Sequence, residues 1–272
     1  MRSRPQKTMS SLVERYESKF TIPEYLIEPI SHFVSVYCLL DQYSKQSKDG
    51  FYRVNNLYFD SPNYLLLRKR LDRSENRFNL RVRSYGDNPE LPCFFEVKQR
   101  KSNIVRKYRA PIYDEDWGKL FECPGYEPVQ DENDKMASNK ILFLKMAYSY
   151  NATPKVLTQY KRKAYVSDVD DYARVTFDTE LRYQPEQEYT IVPDEDRMVP
   201  LDNSTLFDQE CGAILELKCY ATRVPLWMID LIRYFRLRRR SFSKYLTGVS
   251  EVPGLYAAPG LVGRVPLYSP LR

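Results

Sequence analysis

The sequence predicts an α+β fold in which the charged faces of several strands meet inside a β-barrel while helices cover its outside. Residues 94–98 and 214–218 show the pattern most clearly, because each segment holds Glu-x-Lys between apolar residues. Successive side chains of a strand point to opposite faces, so the Glu and the Lys of each segment share one face and the apolar residues take the other. Further strands repeat the pattern, mostly with basic residues on the charged face. Inward-facing charges of this kind would line a tunnel.

The strands are predicted from alternating apolar and polar residues between turn-forming segments. In the segment 77–85, for example, Arg81 and Arg83 share a face opposite Leu80 and Val82. The predicted strands are 14–20, 52–60, 77–85, 94–98, 104–110, 154–165, 173–181 and 214–218, with a weaker candidate at 188–192.

The helices are predicted from apolar residues at helical spacing and from capping signals. The first begins near Pro23, where Thr21 can cap the helix and Glu24 completes a capping box. The predicted helices are 23–40, 62–71, 134–149 and 225–237, and the predicted loops include 45–50 and 184–210.

The sequence predicts one domain at residues 14–250, with a basic arm at 1–13 before it and a Pro/Gly-rich tail at 251–272 after it. The arm lacks the apolar segment of a signal peptide. No run approaches the ~18 apolar residues of a transmembrane helix. We therefore expect a cytoplasmic protein with no direct membrane span.

Composition excludes several function classes. The five cysteines form no Cys-x-x-Cys pair, which argues against a disulfide framework and a zinc site. The only histidine, His32, lies in a predicted helix, so histidine-based catalytic triads are nearly excluded. No glycine-rich P-loop is present. The formal net charge of +6 suits either ordinary solubility or a polyanionic ligand.

The charged strand faces carry more basic than acidic residues. Any one of these faces alone is more typical of a solvated strand, but the opposite faces are apolar and need cover from helices. Cations packed into one lumen repel each other and lose solvation unless anions are supplied. A polyanionic ligand would supply them, and the carboxylates could hold a divalent metal ion. The inward set is Lys19, Arg81, Arg83, Lys98, Lys107, Arg162, Arg174 and Lys218 against Glu17, Glu96 and Glu216.

These motifs, taken in order, resemble the VTC domain, the polyphosphate polymerase domain of the vacuolar transporter chaperone family. That domain belongs to the triphosphate tunnel metalloenzyme, or CYTH-like, superfamily. Each motif is weak alone, but the ordered set is specific. The matching stretches are Arg-Tyr-Glu-Ser-Lys at 15–19, Leu-Tyr-Phe-Asp-Ser-Pro at 57–62, Arg-Leu-Asp at 70–72, Arg-Val-Arg-Ser-Tyr-Gly at 81–86, Phe-Glu-Val-Lys at 95–98, Tyr-Lys-Arg-Lys-Ala-Tyr at 160–165, Arg-Val-Thr-Phe-Asp at 174–178, Leu-Glu-Leu-Lys at 215–218 and Ser-Phe-Ser-Lys-Tyr at 241–245.

The resemblance implies an eight-stranded antiparallel tunnel that binds phosphates. Arg81, Arg83, Lys98 and Glu216 would be the catalytic residues. Glu216 would be the main metal ligand, with Glu17 and Glu96 as further candidates. A one-residue slip in its strand would exchange Lys107 for Arg106. The phosphate-binding set implied by the resemblance, together with Lys218 from the charged faces, is Lys19, Arg70, Arg81, Arg83, Lys98, Lys107, Tyr160, Arg162, Arg174, Lys218, Ser243 and Lys244.

The expected activity is an ATP-dependent polyphosphate polymerase that uses Mn²⁺ or Mg²⁺. Arg15 stands where the superfamily's hydrolases carry the first glutamate of Glu-x-Glu-x-Lys, which favours the polymerase over a triphosphatase of the same fold. A third alternative is a module that binds polyphosphate or another polyanion without turnover. Nucleic acid is not expected, since the aromatic residues lack an RNA-recognition pattern. The expected partners are ATP or another triphosphate, inorganic polyphosphate, and a separate membrane protein chain that would bring the domain to a membrane.

Overall fold

The computed structural model describes residues 15–87, 91–101, 104–123, 126, 134–200, 212–240 and 242–250. The predicted arm at 1–13 and the predicted tail at 251–272 lie outside these ranges.

The described chain forms an antiparallel sheet with helices around it, which confirms the predicted α+β class. The strands are β1 (Arg15–Ile22), β2 (Cys38–Leu40), β3 (Tyr52–Asp60), β4 (Asn76–Tyr85), β5 (Cys93–Lys101), β6 (Ile104–Ile112), β7 (Thr153–Ser167), β8 (Ala173–Pro185), β9 (Val199–Pro200) and β10 (Ala213–Tyr220). The helices are α1 (Ile27–Ser35), α2 (Gln42–Gln46), α3 (Leu65–Leu71), α4 (Lys119–Glu122), α5 (Asp134–Ser149), α6 (Leu226–Tyr234) and α7 (Lys244–Ser250), with a 3₁₀ turn at Glu24–Leu26.

The sheet is long and curled. Its strands lie in the order β1-β10-β8-β7-β3-β4-β5-β6, while β2 pairs with β7 and β9 pairs with β8. No hydrogen-bonded ladder joins β1 to β6 among the described strands. The sheet nevertheless brings its two ends together, because the Lys98 Nζ of β5 lies 3.4 Å from the Glu17 Oε2 of β1. This curvature creates a concave, tunnel-like face that carries the charged residues.

The convex face is apolar and is covered by helices. Against β4 and β5, residues such as Leu80 and Phe95 pack with Phe143 of α5. Against β8 and β10, residues such as Val175 and Leu215 pack with α1 and α6. The alternation of charged and apolar residues along each strand therefore separates the core from the concave face.

A smaller apolar cluster lies on the concave side. Tyr58, Val156 and Tyr160 of the sheet contact Tyr245 and Val249 of α7. The register places these strand residues on the concave face, since Val54 lies opposite Tyr160 and Tyr58 lies opposite Val156. Helix α7 thus packs against the inside of the sheet rather than its outside.

The predicted first helix is wrong in its extent and its cap. Thr21 lies in β1 opposite Ile214, so it extends the sheet instead of capping a helix. The helix stops at Ser35, and Cys38–Leu40 pairs with β7. The ring of Tyr37, in the turn between α1 and β2, stacks on Trp227 at 5.3 Å. Tertiary pairing here overrides the helical spacing of the apolar residues.

Two further predictions in loop regions are wrong. The predicted loop at 45–50 begins inside α2, whose N-terminus is capped because the Asp41 side chain accepts a hydrogen bond from Ser44 N at 2.9 Å. The strand predicted at 188–192 does not form, and only Val199–Pro200 pairs with β8 in this region. The carboxylate of Glu186 instead accepts from the backbone amides of Gln187 and Glu188, which holds the segment in a turn.

Asp60, at the end of β3, joins three elements. Its Oδ1 accepts from the backbone amides of Ser61 and Leu66, and its Oδ2 accepts from Leu67 N and from the Tyr245 hydroxyl. The side chain is fully buried. Burial raises its pKa, although these hydrogen bonds act in the opposite direction. One carboxylate therefore caps α3 and ties it to α7.

Removing the Asp60 contacts should destabilise the fold in a graded way. Tyr245→Phe deletes one hydrogen bond and keeps the ring, so the free energy of unfolding should fall by about 1–3 kcal/mol. Asp60→Ala leaves several buried donors unpaired and should cost more, about 3 kcal/mol or above. Urea unfolding measures both. Tyr234→Phe, at an exposed tyrosine, is the control and should change stability little. Equal, near-zero costs for Asp60→Ala and Tyr234→Phe would contradict the role of Asp60.

Candidate functional site

The strand register gathers the predicted charged residues on the concave face. Lys19 lies opposite Glu216, and Glu17 lies opposite Lys218. On the far side of β10, Lys218 lies opposite Arg174. The equivalent pairing of β4 with β5 sets Arg81 opposite Glu96. The sheet is curled, so the pairs on β1, β10 and β8 face the pair on β4 and β5 across one cleft.

Glu96 is the centre of the first charged cluster. Its Oε2 accepts from Arg81 Nη2 at 2.6 Å and from Arg81 Nε at 2.8 Å. Lys107 Nζ lies 2.6 Å from Glu96 Oε1, Arg109 Nε lies 3.5 Å from the same oxygen, and Arg83 Nε lies 4.0 Å from Oε2. Glu96 is 1% exposed. Burial raises its pKa, but Arg81, Arg83 and Lys107 more than offset this and hold the pKa well below its usual range.

The same cluster shows which basic residue of β6 faces Glu96, and it changes the pKa of that residue. Lys107, rather than the adjacent Arg106, contacts Glu96, which resolves the one-residue ambiguity of the sequence. Burial lowers the pKa of Lys107, and although Glu96 acts against this, Arg83 and Arg81 lower it further, to about 7. Arg83 is held at the side by Asn56 Oδ1, which accepts from its Nε at 2.8 Å, and by the Tyr160 hydroxyl, which accepts from its Nη2 at 3.4 Å.

Glu216 is the centre of a second cluster with Glu17 beside it. Lys218 Nζ lies 3.0 Å from Glu216 Oε2, and Lys19 Nζ lies 3.5 Å from Glu216 Oε1. Lys19 also lies 3.3 Å from Glu17 Oε1, so one ammonium group bridges the two carboxylates. Burial raises the pKa of Glu216, but Lys218, Lys19 and a hydrogen bond with Glu17 hold it well below its usual range. Lys98 approaches this cluster through Glu17.

Asp178 forms a third cluster that includes α7. Its two oxygens accept from Arg162 Nε at 2.6 Å and from Arg162 Nη2 at 2.7 Å. Lys244 Nζ lies 2.5 Å from Asp178 Oδ2 and 4.4 Å from the centre of the Tyr160 ring. Burial raises the pKa of Asp178, whereas Arg162 and Lys244 lower it by more, to about 2. Helix α7 thus brings a cation onto the concave face.

Three other predicted residues lie around these clusters. Arg174 Nη2 donates to Asp41 Oδ2 at 2.8 Å. Burial lowers the pKa of Lys19, and the charge of Arg70, at the end of α3, lowers it further, but Glu216 and Glu17 outweigh both and raise the pKa above its usual value. The Ser243 hydroxyl accepts from Leu246 N at 3.4 Å at the start of α7, where it acts as a helix cap in this structure.

Among the described residues, each of the carboxylates named above is shared, and the cations of these clusters outnumber the carboxylates. Glu96 alone faces four basic side chains, and Glu216 and Asp178 face two each. Shared carboxylates neutralise only part of the positive charge. The arrangement is therefore suited to a ligand with many negative charges, such as a chain of phosphates.

The comparisons with known proteins agree with this geometry. The family model described as the VTC domain matches residues 14–252. This chain belongs to the VTC domain family. The resemblance found in the sequence is therefore confirmed.

Two relatives of this VTC domain are similar over most of its length. Vacuolar transporter chaperone complex subunit 4 of Trypanosoma cruzi is 26% identical over 231 residues, which cover 74% of this chain and 28% of that protein. The subunit of the same name from Trypanosoma brucei brucei is 25% identical over 244 residues, which cover 80% of this chain and 30% of that protein. This chain thus spans less than a third of either relative. A solved structure of a candidate adenylate cyclase from Bacillus halodurans is 11% identical with a TM-score of 0.47, covering 85% of this chain and 94% of that one.

Several residues of the VTC domain's concave face were not predicted as site residues. They are Asn56, Tyr58, Arg109 and Asp178. A sequence signal existed for two of them, since Arg109 follows Lys107 by two residues and Asp178 follows Arg174 by four, on the same strand faces. Asn56 and Tyr58 lie on β3 on the same face as Tyr52 and Val54, so this strand lacks the alternating basic residues that mark the other concave faces.

The carboxylates of the concave face differ in how well they could hold a divalent metal ion. Within the described ranges, no cluster of three or more His, Cys, Asp or Glu side chains could hold one. Glu17 and Glu216 nevertheless lie side by side on the concave face, bridged by Lys19. Mg²⁺ is commonly held by one or two carboxylates while substrate phosphates and water complete its shell. This pair fits such an ion, whereas Glu96 is enclosed by cations, and its metal role stays a prediction from the sequence.

In the part of the chain that the structure describes, no helix is both long and apolar enough to cross a membrane.

Asp178 should behave as a neutraliser that a phosphate can replace. In Asp178→Asn, two buried cations lose their anion, so the free energy of unfolding should fall by about 3 kcal/mol. Tripolyphosphate should then raise the melting temperature more in the variant than in the wild type, because phosphate oxygens would replace the lost carboxylate. Differential scanning fluorimetry with and without tripolyphosphate measures this. Glu195→Gln, in an exposed pair with Arg182, is the control and should be near neutral. A smaller ligand-induced shift in Asp178→Asn than in wild type would contradict the assignment.

The low pKa of Asp178 also predicts a dependence of stability on pH. The folded pKa of about 2 lies below the ordinary value of 3.8, so ionised Asp178 stabilises the fold above about pH 4, and this contribution is lost as the pH falls toward 2. The stability difference between wild type and Asp178→Asn should shrink by about 2 kcal/mol over that range. Denaturant unfolding from pH 5 downward measures it. A difference that stays constant with pH would show that Asp178 does not titrate in this way.

Proposed function

We propose that this VTC domain is an ATP-dependent polyphosphate polymerase that transfers the γ-phosphoryl group of ATP to the end of a growing polyphosphate chain. The observation that carries the proposal is the concave face on which four basic side chains, those of Arg81, Arg83, Lys107 and Arg109, share one buried carboxylate, that of Glu96. The names of the relatives support it, since both are subunits of a vacuolar transporter chaperone complex. Because this chain spans under a third of those proteins, their activity is extended to it only as a proposal.

The proposed chemistry depends on position and charge more than on a side-chain nucleophile. Phosphoryl transfer needs the donor and acceptor in line, with the charge on the transferred group neutralised. Arg81 and Arg83 can grip non-bridging oxygens with paired N–H groups, and Lys98, Lys107 and Lys19 can bind as point charges. The acceptor is the terminal phosphate of the chain. One of its oxygens forms a bond to the γ-phosphorus of ATP while the bond from that phosphorus to the β–γ bridging oxygen breaks, and ADP leaves with that oxygen. The phosphates would compete with Glu96 and Asp178 for cations those carboxylates hold.

A Mn²⁺ or Mg²⁺ ion bound by Glu216, with Glu17 as its neighbour, would neutralise phosphate charge and help to orient the γ-phosphoryl group. In the absence of the ion, Lys19 and Lys218 neutralise the same carboxylate. The lysines and the ion would therefore share Glu216, and the residues of this cluster must rearrange slightly when substrate and metal bind.

A triphosphatase is the second candidate, because Glu17 beside Glu216 could support a hydrolytic metal site. Arg15 argues against it. This residue occupies the first position of the motif at 15–19, and its guanidinium lies 4.6 Å from the centre of the Tyr172 ring, so the position supplies no carboxylate. Comparison of free phosphate release with chain growth from ATP under the same conditions separates the two activities. A module that only binds polyphosphate would show neither.

We also propose that a separate membrane protein chain completes the functional unit and brings this domain to the cytoplasmic side of a membrane. The support is the naming of the relatives as subunits of a transporter chaperone complex. Co-purification from membranes, with detergent-solubilised material compared with a high-salt wash, tests the association.

The central prediction concerns residues of the concave face. Arg81→Ala, Lys98→Ala and Glu216→Gln should each reduce chain synthesis from ATP and Mn²⁺ by roughly ten- to hundred-fold or more, since a charge-assisted contact contributes about 1.5–3 kcal/mol. The melting temperature without ligand should hold or rise for Lys98→Ala, because like charges repel less. It should fall for Arg81→Ala, which removes the paired hydrogen bonds to buried Glu96, and fall modestly for Glu216→Gln, which leaves Lys218 unpaired. Polyphosphate gels and thermal melts measure these effects.

Lys161→Ala is the matched control. Lys161 lies on β7 of the same sheet but on its opposite face, where its Nζ lies 2.7 Å from Glu180 Oε1. It should keep both chain synthesis and the tripolyphosphate-induced rise in melting temperature. If Arg81→Ala and Lys98→Ala keep the same rise as Lys161→Ala, the concave face does not bind phosphates and the proposal fails. If the wild type makes no chains with or without a primer but releases phosphate, the triphosphatase replaces it.

A further inference from the structure

A cluster of aromatic rings adjoins the phosphate-binding cations at one end of the concave face. Tyr43 of α2 stacks on Tyr85 at 4.6 Å between ring centres and with 22° between planes, and it lies 5.2 Å from Tyr52. The ring of Phe94 lies 5.9 Å from Tyr85. The Arg109 guanidinium carbon lies 3.6 Å from the centre of Phe94. Together, Tyr43, Tyr85, Phe94 and Arg109 form what we term the aromatic platform.

The platform is continuous with the Glu96 cluster. Tyr85 follows Arg83 by two residues and Phe94 precedes Glu96 by two residues, so both rings share the charged strand face. Arg109 belongs to both groups, since its Nη2 donates to the Tyr85 hydroxyl at 3.2 Å while its Nε lies 3.5 Å from Glu96 Oε1. A ligand whose phosphates contact Arg81 and Arg83 would therefore place its next group beside these rings.

The position of Tyr43 is fixed by a carboxylate that also holds a predicted phosphate-binding residue. Asp41 caps α2 through Ser44 N at 2.9 Å, and its other oxygen accepts from the Tyr52 hydroxyl at 3.2 Å and from Arg174 Nη2 at 2.8 Å. Tyr43 itself is 40% exposed. The ring of Tyr43 is thus positioned by its contacts with Tyr52 and Tyr85 and remains accessible to a ligand.

We propose that the aromatic platform binds the nucleobase of the nucleoside triphosphate whose phosphates lie along the concave face. The inference rests on the proposed function, because it takes that triphosphate to be the donor. Every base has an aromatic face, so stacking on tyrosine and on an arginine plane tolerates different bases. The platform should therefore discriminate little between bases, so ATP and GTP should bind with similar affinity.

A competing aromatic pair lies elsewhere on the sheet. Tyr172 and Tyr220 lie 5.1 Å apart with Arg15 over Tyr172. The platform is the better site because Arg109 links it directly to the Glu96 cluster, whereas Arg223 beside the competing pair is held by Asp171 at 2.6 Å. Variants at both places distinguish them.

The test compares two nucleotides with tripolyphosphate, which lacks the nucleoside. Isothermal titration calorimetry with Mg²⁺ measures the Kd of ATP, GTP and inorganic tripolyphosphate for wild type, Tyr43→Ala and Tyr43→Phe. Stacking on an aromatic side chain is worth about 1–3 kcal/mol per base, so Tyr43→Ala should weaken ATP and GTP by roughly ten-fold. Tripolyphosphate should change less than about two-fold, because it has no base to stack. Tyr43→Phe keeps the ring and should bind all three ligands as the wild type does.

Tyr25→Ala and Tyr172→Ala are the matched controls. Tyr25 is 76% exposed on the turn before α1, away from the platform, and its removal should change no Kd. The proposal is overturned if Tyr43→Ala weakens tripolyphosphate as much as ATP, if it weakens neither, or if Tyr172→Ala rather than Tyr43→Ala selectively weakens ATP.

The two proposals fail in different ways. If Tyr43→Ala selectively weakens ATP but the wild type makes no polyphosphate, the nucleobase site stands and the polymerase does not. If the wild type makes polyphosphate and Tyr43→Ala leaves the Kd of ATP unchanged, the polymerase stands and the nucleobase site is overturned. If neither ATP nor tripolyphosphate binds the wild type, both are overturned.

Discussion

The structure depends on how positive charge is held on the concave face of one curled sheet. Basic side chains from β1, β4, β5, β6, β7, β8 and β10 converge there, and each carboxylate among them is shared by more than one cation. A buried ion pair costs desolvation that its Coulomb attraction only partly offsets. A carboxylate that is shared between several cations reduces their repulsion in the protein without ligand, yet it leaves part of their positive charge available to a ligand. The same arrangement that limits stability thus prepares the face for phosphates.

This constraint explains why the helices lie where they do. The charged residues leave little room for apolar packing on the concave face, so most of the core forms on the convex side, where α1, α5 and α6 cover apolar strand residues. Helix α7 instead packs on the concave side through Tyr245 and Val249. It brings Lys244 to Asp178, so its position contributes to the charged clusters as well as to packing.

Two carboxylates outside the phosphate-binding set attach the short helices α2, α3 and α7 to the sheet, and both do so through several hydrogen bonds. Asp60 caps α3 and accepts the Tyr245 hydroxyl of α7, while Asp41 caps α2 and accepts from Arg174. Each carboxylate accepts at least one hydrogen bond from a backbone amide of a short helix. It also accepts one from a side chain that is distant in the sequence, Tyr245 for Asp60 and Arg174 for Asp41. Short helices gain little stability by themselves. Such anchors therefore fix α3 with Arg70, α7 with Lys244, and α2 with Tyr43 relative to the sheet.

The sequence by itself determined which side chains would share a strand face, because that direction follows from a period of two residues and is set locally. Lys19, Arg81, Arg83, Glu96, Lys98 and Glu216 could be assigned to one face in this way, and the ordered motifs were enough to predict the family. Tertiary structure decided the partners. It ended the first helix at Ser35, placed Asp178 between Arg162 and Lys244, and brought Tyr43 against Tyr85. Contacts such as Lys19 with Phe242 O join residues 223 positions apart, and they depend on register and on sheet curvature, which no local pattern encodes.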